Sequence, residues 1–374
     1  MAPIVKVIQG NEACLEGALL AGCRFFAGYP ITPASELAEV AAQRMPEIGG
    51  TYIQMEDELA SVNAMSGAAW GGLKPMTATS GPGFSLMQEG IGYLCITQTP
   101  GVIVNVMRGG PSTGQPTLSS QQDVYQARYG SHGDYELIVL APSSAQEALD
   151  LTIRAFNLAE EYLVPVIVLS DEIVGHTRER VVFPEKPEMF NRRKPPRDWD
   201  YKPYKPVAAN NGVPYRANFG EGYNILVDGQ MHDYMGTRKG HDPAASAVCL
   251  HDICNKITQN ADRIADYELH DVDDADLILV AYGSVARTTL RAARDARAQG
   301  HKVGMIQLKT LFPFPEKLFA GLARAGRRFA VPEMSMGRLW RDVQLASGCP
   351  TLSLPKVGGE MHTPEEILTA AMRK

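Results

Sequence analysis

Glu58-Leu59-Ala60-Ser61-Val62-Asn63-Ala64-Met65-Ser66-Gly67-Ala68 sets one carboxylate at the start of a run rich in alanine and glycine, nine residues before Gly67. Alanine is the strongest helix former. Small side chains also let a helix pack tightly enough to bury its first acid. A plainer reading competes, because acidic residues favour helix N-termini through the helix dipole. Met55-Glu56-Asp57-Glu58 fits that reading as well.

Working outward, Phe26-Ala27-Gly28-Tyr29-Pro30-Ile31-Thr32-Pro33-Ala34-Ser35-Glu36 reads as a strand, residues 24–27, running into a turn. Two prolines bracket Thr32 and keep it out of a helix. Ser35 or Pro33 then opens the next helix. Downstream, Met76-Thr77-Ala78-Thr79-Ser80-Gly81-Pro82-Gly83 is a strand ending in a glycine turn. Gly101-Val102-Ile103-Val104-Asn105-Val106-Met107-Arg108-Gly109-Gly110 is a strand that delivers an arginine at its carboxyl end. Open α/β sheets bind ligands at those ends. Thr32, Glu58, Ser80 and Arg108 are therefore expected on one rim. A guanidinium fork there suits recognition of a carboxylate.

The same alternation continues through residue 183. Val5–Ile8, Phe25–Ala27, Lys74–Ala78, Val102–Met107, Glu136–Ala141 and Val164–Ser170 read as strands. Ala13–Ala21 and Ala145–Leu158 read as helices, the latter capped by Ser143 or Ser144. The fold class predicted is α/β, with a parallel sheet covered on both faces. Residues 184–270 differ. Seven prolines fall between 184 and 215, and Asn210-Asn211-Gly212 signals a turn. The expectation is an extended connection followed by a loop or hairpin insertion, with its aromatics packed on something. A second α/β unit covers 271–374, with strands at Leu277–Tyr282, Val303–Leu308 and Phe329–Pro332 and helices at Val285–Ala298 and Glu316–Ala325.

Composition narrows the function. The chain has 374 residues, 45% hydrophobic and 21% charged, with a net charge of −6. That is ordinary for a globular protein and argues against nucleic acid or an anionic membrane as partner. No apolar run of about 18 residues is present to span a membrane. Met1-Ala2-Pro3-Ile4-Val5-Lys6-Val7 reads directly as a strand without a signal-peptide pattern. Six scattered cysteines, none in Cys-x-x-Cys, predict free thiols in a reducing cytoplasm. Their spacing suits no iron–sulfur cluster, and eight dispersed histidines suit no metal site.

Gly110-Pro111-Ser112-Thr113-Gly114 matches the Gly-x-Ser-x-Gly pattern of a serine hydrolase, but Gln115-Pro116 follows where a helix should start. Phosphate loops of the Gly-x-x-x-x-Gly-Lys and Gly-x-Gly-x-x-Gly types are missing.

Together, Tyr29-Pro30-Ile31-Thr32-Pro33, Met55-Glu56-Asp57-Glu58, Thr77-Ala78-Thr79-Ser80-Gly81-Pro82-Gly83, Arg108-Gly109-Gly110-Pro111-Ser112-Thr113-Gly114 and Gln122-Asp123-Val124 resemble the alpha subunit of 2-oxoacid:ferredoxin oxidoreductases. The likeness is nearest to the 2-oxoglutarate and branched-chain members and spans nearly the whole chain. It implies an N-terminal thiamine pyrimidine-binding-type domain (1–183) and a C-terminal transketolase-C-like domain (271–374). It implies that Glu58 bonds N1' of the cofactor aminopyrimidine, which makes the 4'-amino group a better base toward the thiazolium C2 proton. Arg108 and Thr32 would hold the 2-oxoacid, and Ile31 and Arg108 would touch the cofactor. The Gly110–Gly114 segment would be a flexible substrate loop.

The Gly-Asp-Gly…Asn motif that holds magnesium and diphosphate is absent, and Gly133-Asp134-Tyr135 does not supply it. Half a thiamine site implies a partner chain. By resemblance that is a beta subunit carrying Mg2+, the diphosphate motif and a [4Fe–4S] cluster. Separate gamma and ferredoxin-like subunits, ferredoxin as acceptor and coenzyme A as co-substrate are also implied. A non-catalytic assembly subunit of the same fold is the alternative. The expected substrate is 2-oxoglutarate, with 2-oxoisovalerate next. A second carboxylate would need another cation, since an unpaired buried charge is costly. His132, Lys309 and Arg338 are the candidates. Ser335 and Arg338 stand where the family commonly has Asn and Gln.

Overall fold

The structure, a computed structural model, describes residues 4–197 and 200–372. Strand β1 (Val5–Gln9) leads into a helix, Gly10–Leu20, and then β2 (Phe25–Gly28). The helix Ser35–Glu47 returns the chain to β3 (Thr51–Gln54), and the helix Glu58–Trp70 returns it to β4 (Pro75–Thr79). Helices Pro82–Leu86 and Gln88–Ile96 precede β5 (Gly101–Gly109), onto whose end β6 (Gln115–Ser119) folds back antiparallel. β7 (Ile138–Leu140), the helix Ala145–Tyr162, β8 (Pro165–Asp171) and β9 (Arg178–Val182) complete the first unit.

β7-β8-β5-β4-β2-β3 form one sheet, all parallel. β4, β5 and β8 are buried along their whole lengths, as strands covered on both faces must be. Ser144 caps the helix Ala145–Tyr162 as expected, accepting from Glu147 N at 3.1 Å. Two strands differ from the sequence reading. β1 is outside the parallel sheet. It pairs antiparallel with β9, Val5 opposite Val182, as a mostly exposed ribbon. β3 carries no continuous apolar run, because it is the exposed edge of the sheet.

The second unit holds β10 (Tyr267–His270), β11 (Leu277–Ala281), β12 (Val303–Leu308), β13 (Thr310–Phe312), β14 (Arg328–Glu333) and β15 (Thr351–Pro355). Its sheet runs β10-β12-β11-β14-β15, with β10 antiparallel to β12 and the rest parallel. β10 thus joins this sheet ahead of residue 271. β13 leaves it altogether and pairs antiparallel with β7, extending the first sheet. Side chains stitch the units further. Ser284 N donates to Asp171 Oδ2 at 2.8 Å, and Gln121 Nε2 donates to the Tyr282 carbonyl at 2.9 Å.

The connection is a packed belt rather than a free linker. Arg192 is buried on Glu160, with its Nε 2.9 Å from Oε2, and its Nη1 donates to the Ala69 carbonyl at 2.6 Å. Arg216 is fully buried, with its guanidinium 4.2 Å from the Trp70 ring centroid and 5.4 Å from that of Tyr204. The stretch read as a loop or hairpin insertion also holds a helix, Pro243–Thr258. Its signal was present: Asp242 caps it, accepting from Ala244 and Ala245, with Pro243 at the first position. No helix among the described residues is long and apolar enough to cross a membrane.

Candidate active site

The carboxyl ends of β2, β4 and β5 meet at one rim. Glu58 is the first residue of its helix, and Asp57 caps that helix by accepting from Ala60 N at 2.8 Å. The cap leaves Glu58 free to turn inward, where it is 3% exposed. Thr79, the last residue of β4, donates to Glu58 Oε1 at 3.4 Å. Burial pushes the Glu58 carboxyl above its ordinary range, against the opposing pull of the Thr79 hydroxyl and the Arg108 charge. Gly83 passes close by. A Cβ there would stand 2.1 Å from Glu58 Oε1 and 2.2 Å from Thr79 Oγ1, so any side chain at this position would displace the carboxylate.

Arg108 sits near the end of β5, 5% exposed. Its Nη1 donates to the Thr32 carbonyl at 2.5 Å, which ties β5 to the turn after β2. Its Nε is buried without a partner. Buried donors are nearly always paired, and this one is an exception. Burial lowers the Arg108 pKa, while Asp123 and Glu58 work to hold its charge. Gly81, at φ +51°, leaves room for this side chain, since a Cβ would come within 2.8 Å of Nε. Asp123 accepts from Asn105 Nδ2 at 3.0 Å. Burial raises its carboxyl pKa, opposed by Asn105 and Arg108.

Glu58, Arg108 and Thr32 are therefore brought together. Thr32 contributes its backbone carbonyl to Arg108, and its side chain is exposed. Ile31 is half-buried against the core. Ser80 shares the rim, but its hydroxyl is spent on the Val106 carbonyl at 2.7 Å. Asn105, Asp123, Thr79 and the two glycines were not singled out in the sequence, although all but Asn105 fall inside the quoted motifs and Asn105 lies on the quoted strand. Nothing in a linear pattern says which motif residues face one another.

A cavity of about 780 Å³ opens from this rim. Arg108, Gly110 and Asp123 line it from the first unit, and Met336, Arg338 and Val357 from the second. Gln122 Oε1 holds the Gly110 amide at 2.9 Å. The Gly110–Gly114 segment links β5 to antiparallel β6, so it is the tip of a hairpin and not a strand-to-helix elbow. Of the three candidate cations, only Arg338 reaches this cavity. Lys309 pairs with Glu268 and lies 3.4 Å from Glu147. His132 lines a different cavity with Tyr93 and Ser131. Among the described residues, no three His, Cys, Asp or Glu side chains gather to hold a metal.

A buried acid at a helix start, a glycine packed against it and an arginine near the neighbouring strand end thus meet at one rim of a parallel sheet. The chain belongs to the pyruvate flavodoxin/ferredoxin oxidoreductase family, whose thiamine diphosphate-binding model matches residues 16–238. The model for core domain II of pyruvate:ferredoxin oxidoreductase matches residues 275–367. Among individual proteins, the chain is 50% identical to the 2-oxoglutarate synthase subunit KorA of Methanothermobacter marburgensis, over 98% of both chains. It is 38% identical to the ketoisovalerate oxidoreductase subunit VorB of Methanothermobacter thermautotrophicus, over 97% of this chain and 96% of that one. The structure of 2-oxoglutarate:ferredoxin oxidoreductase from Magnetococcus marinus, with 2-oxoglutarate, coenzyme A and succinyl-CoA bound, matches with a TM-score of 0.93 at 33% identity. That match covers 98% of this chain and 64% of the other. A split-gene transketolase, 14% identical with a TM-score of 0.54, shares the fold.

The residues present fit the aminopyrimidine half of thiamine diphosphate. Glu58 is buried, burial raises its carboxyl pKa, and Gly83 packs directly against it.

Proposed function

We propose that this chain is the alpha subunit of a thiamine-diphosphate-dependent 2-oxoglutarate:ferredoxin oxidoreductase. The reaction converts 2-oxoglutarate and coenzyme A to succinyl-CoA and carbon dioxide, and two electrons pass singly to ferredoxin. It is open to running in reverse. Residues 1–183 serve as the pyrimidine-binding-type domain and 271–374 as the transketolase-C-like domain. The observation that carries the reading is the buried Glu58 carboxyl beside Thr79 and Gly83, with Arg108 on the adjacent strand end.

Bound thiamine diphosphate supplies the nucleophilic carbon and the electron sink for loss of carbon dioxide. Glu58 hydrogen-bonds N1' of the aminopyrimidine through its carboxyl, whose pKa burial raises. Ile31 is a cofactor contact. Arg108, whose Nε is unpaired, holds the 2-oxoacid carboxylate, and the Thr32 side chain, exposed at the rim, meets the keto group. The diphosphate, Mg2+ and a [4Fe–4S] cluster belong to a beta subunit. Separate gamma and ferredoxin-like chains complete a cytoplasmic assembly. The likeness to the VorB subunit keeps 2-oxoisovalerate as the second substrate reading.

Glu58→Gln in the assembled complex tests this directly. Loss of the proton-sharing acid lowers turnover by roughly 10²–10⁴-fold, with the fold intact by circular dichroism. Activity within a few-fold of wild type would show that Glu58 is only a helix-start acid.

A further inference from the structure

We propose that Arg338 selects the substrate by pairing with a second, distal carboxylate, an assignment that rests on the oxidative-decarboxylation reading above. Only two cations, Arg108 and Arg338, line the large cavity among the described residues. Arg108 is already faced by Glu58 and Asp123 and is assigned to the 2-oxo end of the substrate. A second substrate carboxylate entering beside them would be a buried charge without a counter-ion, which is expensive. Arg338 removes that penalty from the opposite wall. Arg338 is half-buried, and its guanidinium has no hydrogen-bond or ion-pair partner among the described residues.

The backbone that presents Arg338 is held firmly. Arg338 N donates to Glu333 Oε1 at 2.7 Å, and Tyr125 Oη donates to the Arg338 carbonyl at 3.0 Å. Glu333 is fully buried at the end of β14, and Tyr125 comes from the first unit. The turn between them is further pinned by Gln121, whose N donates to the Met334 carbonyl at 2.8 Å. A rigid base and an unpaired cation are what selection of an anionic group requires. The neighbouring Met336 and Val357 offer an apolar wall for the methylenes that join the two carboxylates.

The test compares 2-oxoglutarate with 2-oxovalerate, in which a methyl group replaces the distal carboxylate, in the assembled complex. Arg338→Met is expected to lower the ratio of the two kcat/KM values about a hundredfold, mainly through KM for 2-oxoglutarate. Removing one partner of such a pair costs that much or more when the site is desolvated. Arg338→Lys should recover part of the ratio, since the charge remains but the fork does not. Equal losses on both acids would overturn the assignment and reduce Arg338 to a structural member of the turn. An unchanged ratio would overturn it too and hand the distal carboxylate to a partner chain. A wild-type complex inert toward both acids would overturn the functional reading itself, and the Arg338 assignment with it.

Discussion

Replacing Gly83 with alanine adds one methyl group against the acid at the centre of the site. The added Cβ would stand 2.1 Å from Glu58 Oε1 and 2.2 Å from Thr79 Oγ1, whereas ordinary contact begins at 3.4 Å. The carboxylate must therefore retreat by roughly 1.3 Å, the difference between 3.4 and 2.1, and a displacement of about 1 Å costs on the order of 10²-fold in rate. The stability penalty is that of modest overpacking, about 1–3 kcal/mol, so the chain should still fold. The assay is 2-oxoglutarate- and coenzyme-A-dependent reduction of ferredoxin by the reconstituted complex, with thermal melts of each variant. Gly321→Ala is the control. A Cβ there meets nothing within 4 Å, and alanine in a helix interior gains about 0.5–1 kcal/mol over glycine. Gly83→Ala should lose about a hundredfold in kcat, while Gly321→Ala keeps full activity and melts higher. If Gly83→Ala retains activity within about threefold, the close packing of Gly83 on Glu58 has no catalytic meaning.

Two further outcomes concern other buried charged side chains. Arg192→Ala strands the buried Glu160 carboxylate, both groups being no more than 5% exposed, and should cost about 3–5 kcal/mol in denaturant unfolding. Joint replacement by methionine and leucine should restore most of that, and failure to do so would mean the ion pair is not what holds the belt down. Asp342, bonded by Tyr125 at 3.0 Å, has its carboxyl pushed by burial from 3.8 to about 6. Between those values the folded state binds the extra proton, so Asp342 weakens the fold as pH rises through about 6. Asp342→Asn should therefore melt progressively higher than wild type from pH 4 upward and level off above pH 6. A melting difference independent of pH would refute the burial argument.

Read linearly, the chain was sufficient to predict two α/β units, because strand-helix alternation writes itself as short apolar runs separated by alanine-rich stretches. It was sufficient for the rim too. Glu58 and Arg108 lie at the ends of elements whose period and punctuation are local, and parallel sheets gather such ends on one side. The register β5-β4-β2 then brought the Arg108 guanidinium to the Thr32 carbonyl. Long-range pairing decided everything else. β1 reads as one more strand of the alternation, yet it is excluded from the sheet and pairs with β9. β13 leaves its own unit for β7. The aromatics of the proline-rich connection predict that it packs on something, but not that Arg192 and Arg216 tie it to residues more than a hundred positions away. Arg338 and Arg108 are separated by the whole of that connection. Their shared cavity depends on how the second sheet docks on the first, and docking is set by buried contacts such as Gln121 with Tyr282 that no periodicity encodes.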